Sequence, residues 1–197
     1  MKELGKEVMG KYKATVLIGF LMFLVSSLGA NQFEALWEDP RVVQNRWHEI
    51  AVPRSWQDLA MINRGQERNF SIVDAGLPSN FNGRSVIANF SVVFEANLNK
   101  TQAVDAVMRN FVRATGRQVE QVEFAANNWQ GTLIKSFNPP LNGRHGQRYD
   151  LIVNLPERGG SYVFSIFIQF SDASGEFVER FNLDDFAETV FNHIWLL

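Results

Sequence analysis

No cysteine occurs in the 197 residues of this chain. That absence removes a disulfide framework, a thiolate zinc site, a thiol nucleophile and an acylated lipoprotein cysteine together. Any membrane attachment has to be the peptide itself. A basic excess is missing too, since 19 Lys and Arg stand against 21 Asp and Glu for a net charge of -2. Nucleic-acid binders draw much of their affinity from phosphate neutralisation, so nucleic acid is not expected as a partner. Glycine-rich phosphate loops are absent, as are internal repeats and low-complexity stretches. Gly159-Gly160-Ser161 lacks the Gly-x-Ser-x-Gly spacing of a nucleophile elbow and precedes a strand signal rather than a helix. Only three histidines occur, His48, His145 and His193, with none of the spacing of a zinc enzyme. The sequence therefore predicts no catalytic residue, no metal and no cofactor.

What is present is a folded chain, since 46% hydrophobic residues and 17 Phe supply a real core. An uncharged apolar run from Ala14 to Ala30 extends to Phe33, about 20 residues and enough for a helix to cross a hydrocarbon core. Lys2, Lys6, Lys11 and Lys13 precede it and Glu34, Glu38 and Asp39 follow, which by the positive-inside rule puts the N-terminus in the cytoplasm. The expected location is the inner membrane, single pass, with the domain periplasmic or extracytoplasmic. A cleaved signal peptide with Ser27-Leu28-Gly29 at its end is the competing reading, and a buried core helix is a third. The expected division is a cytoplasmic N-terminus at 1–13, an anchor or signal at 14–33, a stalk at 34–47 and the domain at 48–197. Trp37 in the stalk is placed at the headgroup layer, with packing on the domain as its alternative.

Strand signals begin at His48 to Val52 and Asn69 to Val73. The clearest runs from Val86 to Leu98, where Ala88, Phe90, Val92 and Phe94 alternate with Asn89, Ser91 and Glu95. At Asn99 the period changes. Val104, Val107, Met108, Phe111 and Val112 repeat at helical spacing up to a stop at Gly116; the N-cap is Asn99 or Thr101, with Gln102 placed to close a capping box on Asn99. Four more strands are expected, about Val119 to Ala126, Gly131 to Phe137, Arg148 to Leu155 and Ser161 to Ser171. The turns between them include Asn127-Asn128, Asn138-Pro139-Pro140 and Glu157-Arg158-Gly159-Gly160. Short connections imply antiparallel neighbours and a meander. Asn182 caps a last helix whose stripe is Phe186, Val190, Phe191 and Ile194. The fold class is α+β, an antiparallel meander sheet with covering helices in an α/β/α sandwich, preceded by the transmembrane or signal segment.

The candidate ligand or partner loop is 142–148, in which Arg144 and Arg148 flank the titratable His145 and form a cationic rim for an acidic ligand or a partner carboxylate. A solvated hairpin turn is the alternative. Asp184 and Asp185, with Glu188, read as helix N-terminal charges rather than a carboxylate site. His193 near the helix end complements its dipole. Sequons at Asn69, Asn89 and Asn99 read as chance, two of them being inside strands.

The element order, together with Val52-Pro53-Arg54-Ser55-Trp56, the helix at Thr101 to Thr115 after a long strand, and the Phe186 to Ile194 ending, resembles the PsbP-like fold. That fold is shared by extrinsic photosystem proteins and bacterial envelope proteins of the DcrB type. The resemblance covers about residues 48 to 195. It implies a three-layer sandwich without enzymatic activity that docks onto or stabilises a membrane or envelope protein complex, and it transfers no site residue. The expected function is a membrane-anchored accessory domain, with a small-molecule domain for anionic ligands as the alternative.

Overall fold

The strongest alternation in the sequence becomes Ile87–Ala96, an inner strand of a seven-stranded sheet. In the computed structural model residues 33–61, 65–73, 77–81, 83–112, 118–141, 144–171 and 176–197 are described. The chain divides into two units, Met1–Ala35 and Leu36–Leu197. Of the first, only residues 33–35 are described. The second begins with strands β1 (Pro40–Gln44), β2 (His48–Pro53), β3 (Gln57–Asp58) and β4 (Gln66–Ser71). The short hairpin β5 (Asn80–Phe81) and β6 (Arg84–Ser85) leads into β7 (Ile87–Ala96) and helix α1 (Lys100–Val112). Strands β8 (Gln118–Ala126), β9 (Trp129–Leu141), β10 (Arg144–Leu155) and β11 (Gly160–Phe170) follow, then α2 (Glu176–Phe181), α3 (Leu183–Asn192) and β12 (Ile194–Leu196).

The large sheet has the order β3-β4-β7-β11-β10-β9-β8, and a small sheet has the order β1-β2-β12. Both are antiparallel throughout. The expected meander holds for β8 to β11, but β7 pairs with β11 rather than with β8. The chain therefore leaves β7, crosses by α1 to the far edge and meanders back. Ala103 of α1 packs with Ile134, Ile152 and Val163 on one face, joined by Val104, Val107 and Met108. A buried alanine at the contact lets the helix lie close to the sheet. The side chains of Phe111 and Val112 and the stop at Gly116 lie outside what is described. The opposite face carries Lys135 and Tyr149, which reach Asp184 of α3, and Tyr162 and Phe164, against which His48 of the small sheet packs. Helix, sheet, and helix with small sheet make the three layers.

Local signals account for the helix ends. The Gln102 N–H donates to Asn99 Oδ1 at 3.0 Å and the Asn99 N–H to Gln102 Oε1 at 3.1 Å, a complete capping box. Asn182 caps α3 through the Asp185 N–H, and Phe186, Val190 and Phe191 are buried beneath it. Ile194 is buried as well, but in β12, beyond the helix.

Several expectations are corrected. The single-pass inner-membrane location does not stand: no helix among the described residues is long and apolar enough to cross a membrane. The longest described helix, α1, has 13 residues, short of the roughly 20 a span requires. Residues 14–32 of the expected segment lie outside the described residues. In place of a stalk, residues 40–44 form β1, paired with β2 from Pro40↔Pro53 to Gln44↔Glu49. The expected break at Pro139-Pro140 lies inside β9. Leu141 pairs with Arg144 and Asn138 with Gly146, so both prolines oppose His145 alone in a bulge, where their missing N–H groups cost no ladder bond.

Candidate functional site

Residues 144–148 belong to β10 rather than to a loop, and strand alternation separates them. His145 lies on the α3 face, 5.8 Å from Phe137 and stacked on Phe170 at 5.9 Å, with a buried Nδ1 that meets no partner. Arg148 lies on the α1 face. Its Nε and Nη2 both donate to Asp150, at 2.8 to 3.0 Å, and Nη2 also reaches Ser165 Oγ at 3.3 Å. Asp150 is fully buried and accepts a further bond from Ser165 at 2.5 Å. Burial works against the Arg148 charge, but the adjacent Asp150 carboxylate holds its pKa above the ordinary value. The guanidinium is thus committed to a carboxylate of its own sheet. Arg144 pairs with Leu141 through its backbone. His145 and Arg148 are not brought together.

A concave feature on the α3 face extends from β10 across β9 to the edge strand β8. Val119, Glu120, Lys135, Phe137, Gln147 and Asp184 line a groove of about 350 Å³. Register explains the set: Glu120 opposes Lys135, Lys135 opposes Tyr149, and Phe137 opposes Gln147, while the cap at Asn182 sets Asp184 in the first turn of α3 above them. Lys135 Nζ donates to Asp184 Oδ2 at 2.8 Å and the Tyr149 hydroxyl to Oδ1 at 2.7 Å. Burial alone would lower the Lys135 pKa. The bond to Asp184 and the nearby Glu120 and Glu188 outweigh it and hold the pKa above the ordinary value. Burial and the same aspartate push the Tyr149 hydroxyl well up. The groove therefore holds one committed cation beside two carboxylates, Glu120 and Asp184, a cation-attracting surface. Asp184 does more than complement a helix dipole.

A second polar cluster, with no signal in the sequence, joins the two sheets. His48 of β2 is fully enclosed, edge-on to Tyr162 at 5.1 Å and 3.7 Å from Glu67. Glu67 is the extra residue of a bulge, lying between Gln66↔Val93 and Arg68↔Val92, which turns its carboxylate inward. It accepts from Arg158 at 2.5 Å, Asn45 at 2.9 Å and Tyr162 at 3.0 Å. The Arg158 guanidinium also bonds the Tyr162 hydroxyl and lies 3.7 Å from the centre of the Phe94 ring. Two glycines permit this approach. Gly65 has φ +80°, and a Cβ there would be 2.7 Å from the Phe94 carbonyl oxygen. One on Gly160 would be 2.4 Å from the Glu95 carbonyl oxygen. Enclosure lowers the His48 pKa to about 4 against the pull of Glu67, with Arg68 and Arg158 adding to the decrease.

Trp37 is buried, its indole N–H donating to the Ala51 carbonyl at 2.9 Å, and His193 stacks on it at 4.6 Å. His193 forms the C-cap of α3, its ring nitrogen 2.8 Å from the Thr189 carbonyl. No group of three or more His, Asp or Glu that could hold a metal occurs among the described residues.

This three-layer arrangement, with α1 on one face and α3 and the small sheet on the other, is the PsbP/Mog1 fold. The structure of LpqN, involved in cell envelope biogenesis of Mycobacterium tuberculosis, matches with a TM-score of 0.52 and 12% identity over 81% of this chain and 86% of that one. The Saccharomyces cerevisiae Ran-binding protein Mog1p matches with a TM-score of 0.52 and 10% identity over 80% and 95%. Cyanobacterial PsbP (CyanoP) from Synechocystis sp. PCC 6803 gives a TM-score of 0.46 and 14% identity over 80% and 92%. At these identities the likeness to LpqN and Mog1p concerns the fold alone. No family model matches the chain, and no curated protein matches it.

Proposed function

We propose that this chain is a non-enzymatic accessory domain of the cell envelope that binds another protein and stabilises the assembly it joins. The observation that carries this reading is the shared fold. LpqN, matched over 86% of its length, is involved in cell envelope biogenesis, and Mog1p is a Ran-binding protein. The charged groups support it as well. Arg148 and Lys135 each hold a carboxylate of the same domain, an arrangement that fixes a surface rather than leaving a reactive group poised. Cross-linking in intact cells followed by affinity capture of the tagged full chain is expected to recover a second envelope protein in stoichiometric amount. Recovery of this chain alone, at monomer mass, would overturn the reading.

A further inference from the structure

The two edges of the large sheet are unequal. At one end β3 is only two residues long, the kind of short strand that blunts an edge. At the other, β8 runs for nine residues, pairs with β9 along its whole length from Gln118↔Phe137 to Ala126↔Trp129, and has no other strand beside it among the described residues. Such an edge is a template for strand addition.

Its charge selects what can be added. Glu120 and Glu123 are exposed. Glu123 is held by Lys100 at 2.7 Å and by Thr132 at 3.0 Å, whereas Glu120 forms no salt bridge among the described residues and lines the groove beside Lys135. Lys135 is already committed to Asp184, so Glu120 stays available to an incoming cation, with the Phe137 ring in the same groove wall to receive it. A second copy of this edge has no lysine or arginine to offer the groove, since Gln118–Ala126 reads QVEQVEFAA.

We propose that β8 accepts an extended segment of a partner protein as an eighth strand, and that a lysine or arginine of that segment enters the groove between Glu120, Phe137 and Asp184. This rests on the accessory-domain reading and names the surface and partner chemistry it would use. Strand alternation sends every second side chain of the added segment to the groove face, so a basic residue beside Glu120 enters the groove while its two chain neighbours point to the other face.

The test uses the full chain and two nine-residue probes, acetylated and amidated peptides alternating Lys with Thr or Glu with Thr. Hydrogen exchange read by NMR is expected to slow along 118–126 with the lysine peptide and not with the glutamate peptide. Glu120→Lys is expected to weaken the lysine peptide about tenfold or more and Glu120→Gln less; Glu120→Gln is expected to leave the urea midpoint nearly unchanged, whereas Glu120→Lys sets a lysine opposite Lys135 and lowers it. Equal binding of both peptides, protection elsewhere, or an unaffected Glu120→Lys would overturn the proposal. So would protection of β8 by dimerisation without peptide. Capture of the same envelope partner by native and Glu120→Lys chains would remove the β8 edge while leaving the accessory function standing. Charge-selective peptide binding without any captured partner would do the reverse.

Discussion

His48 faces Glu67 at 3.7 Å across the seam between the small and the large sheet, with its ring fully enclosed. The carboxylate is already bonded to Arg158, Asn45 and Tyr162, so it stabilises a charge on His48 less than burial opposes one. The imidazole stays neutral down to about pH 4. The unfolded chain takes up that proton near 6.5, the ordinary value, and so binds more protons than the folded one between 6.5 and 4. Stability is expected to fall as pH is lowered through this window, by about 3 kcal/mol in total. The folded Glu67 pKa is also lowered, its bonds to Arg158 and Tyr162 outweighing burial, so its contribution is lost in turn below 4.5. Urea midpoints measured from pH 7 to pH 4 check this, and His48→Phe is expected to flatten the profile above pH 4.5.

Among the described residues, Arg148 and Asp150 form a charge pair in which the carboxylate is wholly buried. Removing only the guanidinium leaves that carboxylate without its counter-charge. Arg148→Ala is expected to cost about 3–5 kcal/mol. The double replacement Arg148→Met with Asp150→Leu is expected to recover most of the loss, because no buried charge remains. A urea-denaturation double-mutant cycle gives both numbers. A small single-mutant cost would mean that Ser165 alone satisfies Asp150.

The helix entry at Asn99 gives a smaller, local effect. Asn99→Ala removes the side-chain acceptor of the Gln102 N–H and leaves the Asn99 N–H bond to Gln102 in place. The expected loss is about 1 kcal/mol, measured by thermal or urea unfolding. Gln102→Ala is expected to cost less, since Asn99 is exposed and water can replace the bond.

The features legible in the sequence are those written in local periods. β7 shows its buried face as Ala88, Phe90 and Val92, and α1 and α3 announce their starts through Asn99 and Asn182. β1 is hidden because Pro40, Arg41 and Gln44 lack an apolar alternation, and it forms only because β2 is beside it. β12 is hidden because Ile194 continues the spacing of Val190 and Phe191, so a buried residue reads as one more helical turn. Pro139-Pro140 reads as a turn because a bulge needs the partner strand to be recognised. The residues of the groove and of the His48 cluster are further apart still: Glu67 and Arg158 are separated by 91 positions, and Lys135 and Asp184 by 49. The meeting of Glu67 with Arg158 depends on the crossing of α1 that leaves β7 beside β11, and that of Lys135 with Asp184 on α3 returning over β9, neither of which a local pattern encodes. His145 and Arg148 looked like neighbours because a loop was expected where a strand forms, and in a strand that spacing sends them to opposite faces.

Trp37 offers the last test, because its indole belongs to the interior of the domain. The ring meets Trp56 edge-on at 5.9 Å and stacks on His193, and its N–H is bonded to the Ala51 carbonyl of β2. Trp37→Phe keeps an aromatic surface but loses the bond and some volume. Removing a buried donor leaves the carbonyl short of a partner, so a loss of about 1–3 kcal/mol is expected. Trp37→Ala removes the ring as well and is expected to cost about 3–5 kcal/mol. Urea unfolding of the two variants separates the bond from the packing. A cost near zero for both would mean that Trp37 contributes nothing to holding the small sheet, the final turn of α3 and the Val52-to-Trp56 segment together.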